Sequence, residues 1–394
     1  MLKPIYLAGG VRTPIGSFLG SLSEVKAGAL GAHVVRASLE RAGVDPRQVD
    51  EVYMGNVIGA GLGQNVARQA TLGAGLPKSV GATTISKVCG SGLRAVIHAA
   101  QAIQCEDLHL AVAGGTESMS NAPYLLPRAR TGYRMGNGEL IDAMIHDGLW
   151  DVYTNQHMGN CGDLCANRYG ITREQMDDFS IESFRRAIAA WENGLHPAGV
   201  APIEVKTRKG TVTVERDEGL AKYQGEEKLR SLKPAFGADS KITAGNASGI
   251  ADGAAALVVF DEETKDRLGL KPRARILGHA NAATDPEWFT IAPVHALRKL
   301  SERLDLKLGD VDLFEINEAF AVVTMVAIKE LGLDAGRVNV AGGAVALGHP
   351  IGATGARILV TLLDALERMD KRIGVACLCI GGGEATAVAV ERCG

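Results

Sequence analysis

Residues with usable chemistry stand at turns, three of them glycine-rich: Cys89 in SKVCGSGLRAV, His349 in GGAVALGHPIGATGAR and Cys379 in VACLCIGGG, with Asn317 in INEAFA after an apolar strand. The β-branched run Thr83 to Val88, the small Gly90 and Gly92, and the helically spaced apolar residues from Leu93 to Ile103 predict strand, tight turn, helix. Cys89 falls at the junction, where unpaired N–H groups and the helix dipole favour a thiolate, the form that attacks carbon. A cysteine among small residues equally suits an inert buried thiol. His349 precedes a proline and a glycine-rich helix start, which puts its ring on a turn. Asn317 follows the apolar strand DLFEI, and CIGGG closes a strand with N–H groups able to face a ligand. Strand periodicity puts Cys377 and Cys379 on one side with Leu378 opposite, and Cys379 lies nearer the strand end, where α/β sites open. Each residue alone also has a plain structural reading as cap, turn residue or strand stop. Metal readings of Cys377-x-Cys379, and of His157, Cys161 and Cys165 at i, i+4, i+8, rank below packing.

The elements that must position these groups come in two similar sets. Residues 1–119 alternate strand and helix: IYLAGGVR, a helix around Val25 to Ala42, EVYMGNVIG, a helical stretch near Asn65 to Leu72, the Cys89 segment, and LHLAVAGGTESMS. That alternation predicts a largely parallel sheet covered on both faces. Residues 120–250 read as an insertion with an amphipathic helix from Arg173 to Trp191 and a cationic stretch from Lys206 to Lys233. The α/β pattern resumes at GNASGIADGAAALVVFDEE, and residues 273–394 repeat the first set: VDEVYMGNV answers to VDLFEINEA, the Cys89 helix to PIGATGARILVTLLDAL, and HLAVAGG to RIGVACLCIGGG. A pseudo-twofold pair would bring equivalent turns to a common centre. At 394 residues the chain exceeds one core. Its 46% apolar and 22% charged residues and net charge of −3 fit a soluble protein and argue against a nucleic-acid binder. No signal peptide or membrane-length apolar run is evident, and seven scattered cysteines suggest reduced thiols in a cytoplasm.

VCGSG, the HMG at His157, GNASGIADGAAA, NEAFA, GGAVALGHPIGATGAR and CIGGG, in this order, resemble the signature set of the thiolase family, the CoA-dependent acetyltransferases. SMSNAPY and RMGNGELIDAMIHDGLWDVYTNQHMG are most similar to its biosynthetic acetoacetyl-CoA type. The resemblance implies a thiolase fold: two similar βαβαβαββ halves in a five-layer αβαβα core plus an inserted loop domain. The halves would be 1–119 with 251–272, carrying the nucleophile, and 273–394, carrying acid/base groups; the loop domain, 120–250, would serve CoA binding and oligomerisation.

It also implies a ping-pong Claisen condensation of two acetyl-CoA to acetoacetyl-CoA and CoA, or the reverse thiolysis, through an acyl-cysteine. Cys89 would be nucleophile and acyl carrier, His349 would activate it and serve an oxyanion hole, and Cys379 would be the second acid/base. Asn317 would hold an oxyanion water, and Gly381 would donate its N–H beside that of Cys89. Substrate contacts would come from His157, Met158, Ser248, Ala319, Phe320 and Phe289. Lys206, Arg208, Lys209, Lys222, Lys228, Arg230 and Lys233 could meet CoA phosphates, with solvated surface charge as the plain alternative. No cofactor or metal is expected beyond the CoA thioesters, and the expected state is a cytoplasmic homotetramer in fatty acid metabolism.

Some positions depart from the family pattern. DEGLAKYQ has Ala221 and Lys222 where an arginine is common, Phe289-Thr290-Ile291-Ala292-Pro293 replaces Met-Gly-x-Gly-Pro, and Glu384 and Ala385 follow the last glycine. Short acyl chains remain the expectation, with a thiolase of other chain-length or branched specificity as the alternative. A ketoacyl synthase usually uses Cys-His-His, against which Asn317 and Cys379 argue; a non-catalytic acyl-CoA binding scaffold is the reading from another class.

Overall fold

The computed structural model describes residues 3–208 and 210–394. The first half runs β1 (Ile5–Arg12), α1 (Ala27–Ala42), β2 (Glu51–Gly55), α2 (Val66–Gly73), β3 (Gly81–Ile85), α3 (Ser91–Gln104) and β4 (Leu110–Ser118). A long excursion follows, containing α4 (Met158–Arg168) and α5 (Arg173–Glu192), before β5 (Ala251–Asp261) returns beside β4. The second half is β6 (Ala274–Ala283), α6 (Ala292–Leu304), β7 (Leu313–Ile316), α7 (Ala321–Leu331), α8 (Thr354–Arg368), β8 (Ile373–Ile380) and β9 (Glu384–Arg392).

The strand order is β7-β8-β9-β6-β1-β5-β4-β2-β3. Each half has the same pairing scheme: β1–β5–β4–β2 in one and β6–β9–β8–β7 in the other, with two antiparallel steps and then a parallel one. The sheet is therefore more mixed than a βα alternation predicts, because β5 and β9 each insert antiparallel between strands that share a direction. The halves join where Ile5, Tyr6 and Leu7 pair with Ile276, Arg275 and Ala274. The counterpart of β3 in the second half shrinks to a single parallel bridge, Phe314 to Val338.

Side-chain alternation sorts the core into layers. Along β5, Ala254, Ala256 and Val258 face α1 and α2, whereas Ala255, Leu257 and Val259 face the central helices. Along β8, Val375, Cys377 and Cys379 face the α6 and α7 side, whereas Ala376 and Leu378 face inward. The result is the five-layer αβαβα arrangement with α3 and α8 in the middle. α8 buries every residue from Thr354 to Leu366, as a helix enclosed between the strands of the two halves must.

The central helices touch at their first turns, and glycine makes that possible. A Cβ on Gly355 would lie 2.2 Å from the Leu93 nitrogen, and one on Gly92 would lie 2.9 Å from the Ala356 nitrogen. Because the two N-termini abut, the loops leading into them, which carry Cys89 and His349, are forced side by side.

Candidate active site

Cys89 stands on the loop between β3 and α3. The strand ends at Ile85, earlier than the β-branched run suggests, because Val88 turns into the left-handed region at φ 45°. Ser91 holds this turn: its Oγ accepts from Lys87 N at 2.8 Å and donates to Val88 O at 2.6 Å. The backbone N–H groups of Gly381 and of Cys89 itself favour negative charge on the Cys89 sulfur. Burial nevertheless pushes the thiol up to about 11, with the Glu117 carboxylate adding to the rise. Burial thus works against the helix-stabilised thiolate that the sequence suggests, because desolvation outweighs the donors.

His349 is held from both sides. Its backbone N–H donates to Gly249 O at 2.9 Å, and its Nδ1 lies 2.7 Å from Thr354 Oγ1. The Thr354 hydroxyl donates to Pro350 O at 2.9 Å, so it accepts from the ring: Nδ1 carries the proton and Nε2 keeps a lone pair. Burial, helped by the Arg357 charge, holds the ring down at about 3, leaving a neutral imidazole able to take a proton. Asn317 Nδ2 sits 3.5 Å from Nε2, at the limit of a hydrogen bond, and its buried Oδ1 has no protein partner. The Asn317 N–H is fixed on Cys377 O at 2.9 Å, which ties β7's exit to β8.

Cys379 is fully buried one residue before β8 ends. Its thiol is pushed well above the usual value by burial and then by Cys89, which places the two sulfurs within electrostatic reach of each other. A cavity of about 230 Å³ is lined by Cys89, His349 and Gly381 together with His157, Met158, Ser248, Phe289, Ala319 and Phe320. Asn317 and Cys379 lie behind this wall rather than on it. The proposed catalytic and substrate residues therefore converge from both halves and the excursion.

The excursion supplies one wall. His157 caps α4, its Nδ1 accepting from Gly159 N at 3.1 Å, and its ring packs on Phe236 with centroids 4.5 Å apart. Cys161 and Cys165 point into apolar core, and burial pushes their thiols up to about 12 and about 11. Ser248 N donates to Ala319 O at 3.0 Å, joining the GNASG loop to the NEAFA loop. A second cavity of about 470 Å³ shares Ser248 and Ile250 with the first and is lined by Lys222 and Lys228. Of the other cations proposed for phosphates, Arg230 is paired with Asp178 at 2.5 Å, Lys206 and Arg208 belong to a hairpin, and Lys233 is exposed. Lys209 lies outside the described residues.

Comparison with known proteins decides the family. The thiolase N-terminal domain model matches residues 5–263 and the thiolase C-terminal domain model residues 270–392. The chain belongs to the thiolase family. An acetyl-CoA acetyltransferase of Escherichia coli is 50% identical over 392 residues, spanning 99% of this chain and 100% of that protein. Acetyl-CoA acetyltransferase 1 of Arabidopsis thaliana is also 50% identical, over 99% of this chain and 94% of its own. The crystal structure of the Bacillus anthracis acetyl-CoA acetyltransferase superposes with a TM-score of 0.97 at 42% identity, covering 100% of this chain and 99% of that one. A thiolase from Ascaris suum in complex with coenzyme A superposes at 0.94 and 44% identity, over 99% and 100%.

Sequence reasoning missed several groups that hold this thiolase site together. Thr354 fixes the His349 tautomer; its hydroxyl at a helix start, five residues on, is the one signal that was present. Glu117 is buried with a carboxyl pushed up to about 7 by burial, yet it accepts from the N–H groups of Val57, Ile58 and Gly352 at 3.0, 3.2 and 2.9 Å. It thereby staples the first half to the His349 loop. Glu318, inside NEAFA, faces away from the cavity and anchors Ser183 Oγ and Asn339 Nδ2 at 2.8 and 2.9 Å. No helix among the described residues is long and apolar enough to cross a membrane.

Proposed function

We propose that this thiolase is an acetyl-CoA C-acetyltransferase: it condenses two acetyl-CoA to acetoacetyl-CoA and CoA, or cleaves a short 3-oxoacyl-CoA in reverse, through an acyl-Cys89 intermediate. The carrying observation is a thiol from one half meeting N–H donors and a neutral imidazole on one apolar cavity, with a second thiol buried behind its wall. His349 Nε2 takes and keeps the Cys89 proton as sulfur attacks the thioester carbonyl, and Cys379 gives its own proton to the departing CoA sulfur. The N–H groups of Cys89 and Gly381, which favour negative charge on the sulfur, suit the oxygen of the acyl group; losing one such donor typically costs about 3–4 kcal/mol. Cys379, now a thiolate, removes the proton beside the second thioester carbonyl while the protonated His349 and a water on Asn317 donate to the enolate oxygen; the carbanion takes the acyl group, and Cys89 leaves as a thiolate that recovers its proton from His349.

Lys222 and Lys228 support a phosphate-bearing coenzyme in the larger cavity, with its pantetheine arm passing Ser248 and His157. The chemistry requires no cofactor or metal beyond CoA thioesters. The unpaired cysteines support a reducing, cytoplasmic setting, and the reading extends to a homotetramer acting in fatty acid metabolism. The residues flanking β5 would divide the chain into 1–119 with 251–272, the CoA-holding 120–250, and 273–394.

Acetyl-CoA should acetylate Cys89 and release free CoA, read by peptide mass and thiol titration. A folded protein whose Cys89 stays unmodified would instead be an acyl-CoA binding scaffold. The aromatic lining of the small cavity, with Phe289 and Phe320 rings 6.4 Å apart, supports short chains. Faster turnover of long or branched acyl-CoA in a chain-length panel would transfer the assignment to a thiolase of that specificity.

A further inference from the structure

Glu384, one of the departures from the family pattern, is ion-paired with Lys87. The pair bridges two segments that form the reaction centre from opposite halves. Lys87 lies two residues before the nucleophile, in a β-bridge with Cys89 itself. Glu384 opens β9, paired with Ile380 across the glycine hairpin that presents the Gly381 N–H. Between them the surfaces meet through apolar contact. A Cβ on Gly90 would sit 2.4 Å from Ile380 Cδ1, and one on Gly381 would sit 3.5 Å from Val88 Cγ1. Such contact sets a distance but no direction, and the hairpin is built on Gly382 and Gly383 at φ 88° and 87°, residues with the most conformational freedom to lose. A directional tie across this seam is what the ion pair adds; Arg94, one turn into α3, also feels the Glu384 charge.

We propose that the Lys87–Glu384 pair is a positioning clip that holds the Cys89 loop in register with the Gly381 N–H donor. Neither residue touches the reacting atoms; they act through the backbone of Val88–Cys89 and Ile380–Gly381. The inference rests on the thiolase reading of Cys89 for its turnover arm, and on geometry alone for its reactivity arm.

The side chains are 24% and 38% exposed, so the pair is partly screened and its influence modest. In Glu384→Gln, kcat should fall about two- to fivefold while KM for acetyl-CoA and the melting temperature stay at the wild-type values. Alkylation of Cys89 by iodoacetamide at fixed pH should slow by a similar factor, because the sulfur loses part of its N–H support. The double exchange Lys87→Glu with Glu384→Lys should recover both rates, and raising ionic strength should narrow the gap between wild type and Glu384→Gln. Unchanged rates in Glu384→Gln, a double exchange no better than the single variants, or a rate loss that tracks a fallen melting temperature would each overturn the clip. A wild-type protein that alkylates normally yet releases no CoA from acetyl-CoA would remove the thiolase reading and leave the clip testable by alkylation.

Discussion

Replacing Thr354 by valine keeps the shape of a fully buried side chain and deletes one hydroxyl. That hydroxyl accepts from His349 Nδ1 at 2.7 Å and donates to Pro350 O at 2.9 Å. Pro350 O keeps the N–H groups of Ala353 and Thr354 at 2.9 and 3.0 Å, so the deficit falls on the imidazole. A buried donor left without a partner costs about 1–3 kcal/mol. The ring can escape that cost by moving its proton to Nε2, where it meets the cavity, but in that form it can no longer accept from Cys89. Either outcome removes about 1–3 kcal/mol from the productive state, and at about 1.4 kcal/mol per tenfold the acylation rate should drop roughly 5- to 150-fold. Single-turnover release of CoA from acetyl-CoA measures that step directly, and Thr354→Ser should return it to near the wild-type rate. A Thr354→Val enzyme acylated within twofold of wild type would refute the tautomer argument, because the imidazole would then be correctly poised without its anchor.

With the Cys89 thiol raised to about 11, its alkylation by iodoacetamide in the free enzyme should climb about tenfold per pH unit from neutrality to about pH 10; a plateau below pH 8 would reveal a preformed thiolate and imidazolium. Cys379→Ser should slow the burst of CoA that accompanies Cys89 acetylation less than it slows condensation, which should fall about 10²- to 10⁴-fold, and equal losses in both half-reactions would count against Cys379 as the second base. Phe289→Ala empties a buried ring site beside Phe320, so stability should fall by about 3–5 kcal/mol in denaturant titration and relative turnover should move toward longer acyl chains. An unaltered chain-length profile would take Phe289 out of acyl selection. Gly355→Ala should fail to give native protein, since its methyl would press on the α3 backbone; a folded variant with wild-type turnover would mean that the helix contact does not set the site.

Much of the site was legible because its residues sit in glycine-rich turns that leave a strong local imprint. Cys89, His349 and Cys379 stand at such turns, Asn317 follows the apolar strand DLFEI, and the internal repeat pointed to a common centre. Periodicity also separated Cys377 and Cys379 from Leu378, which the core layers repeat. What escaped depends on contacts between distant stretches. Glu117 gathers donors from residues 56–58 and from Gly352 in the other half, so nothing beside it in sequence announces the staple. The burial that opposes a Cys89 thiolate escaped for the same reason: a helix start is local and readable, whereas the packing around this residue comes from stretches distant in sequence. The mixed sheet followed from β5, whose position beside β4 is chosen only after the excursion folds back.

The resting charges constrain how the chemistry can begin. Burial favours protonated Cys89 and Cys379 and a neutral His349, and so works against an ion pair in the empty site. Moving a proton from Cys89 to His349 in the empty cavity would create two charges where both are disfavoured. The step becomes feasible when the forming sulfur–carbon bond passes the negative charge to a carbonyl oxygen within reach of the Cys89 and Gly381 N–H groups, which bind an anion without the cost of reorganising water. Proton transfer and bond formation are therefore best made together, and the tautomer fixed by Thr354 is what lets them coincide: Nε2 has its lone pair ready when the thioester arrives. The low polarity that makes Cys89 a poor nucleophile in isolation also protects it from adventitious electrophiles until the substrate itself completes the electrostatics of the site.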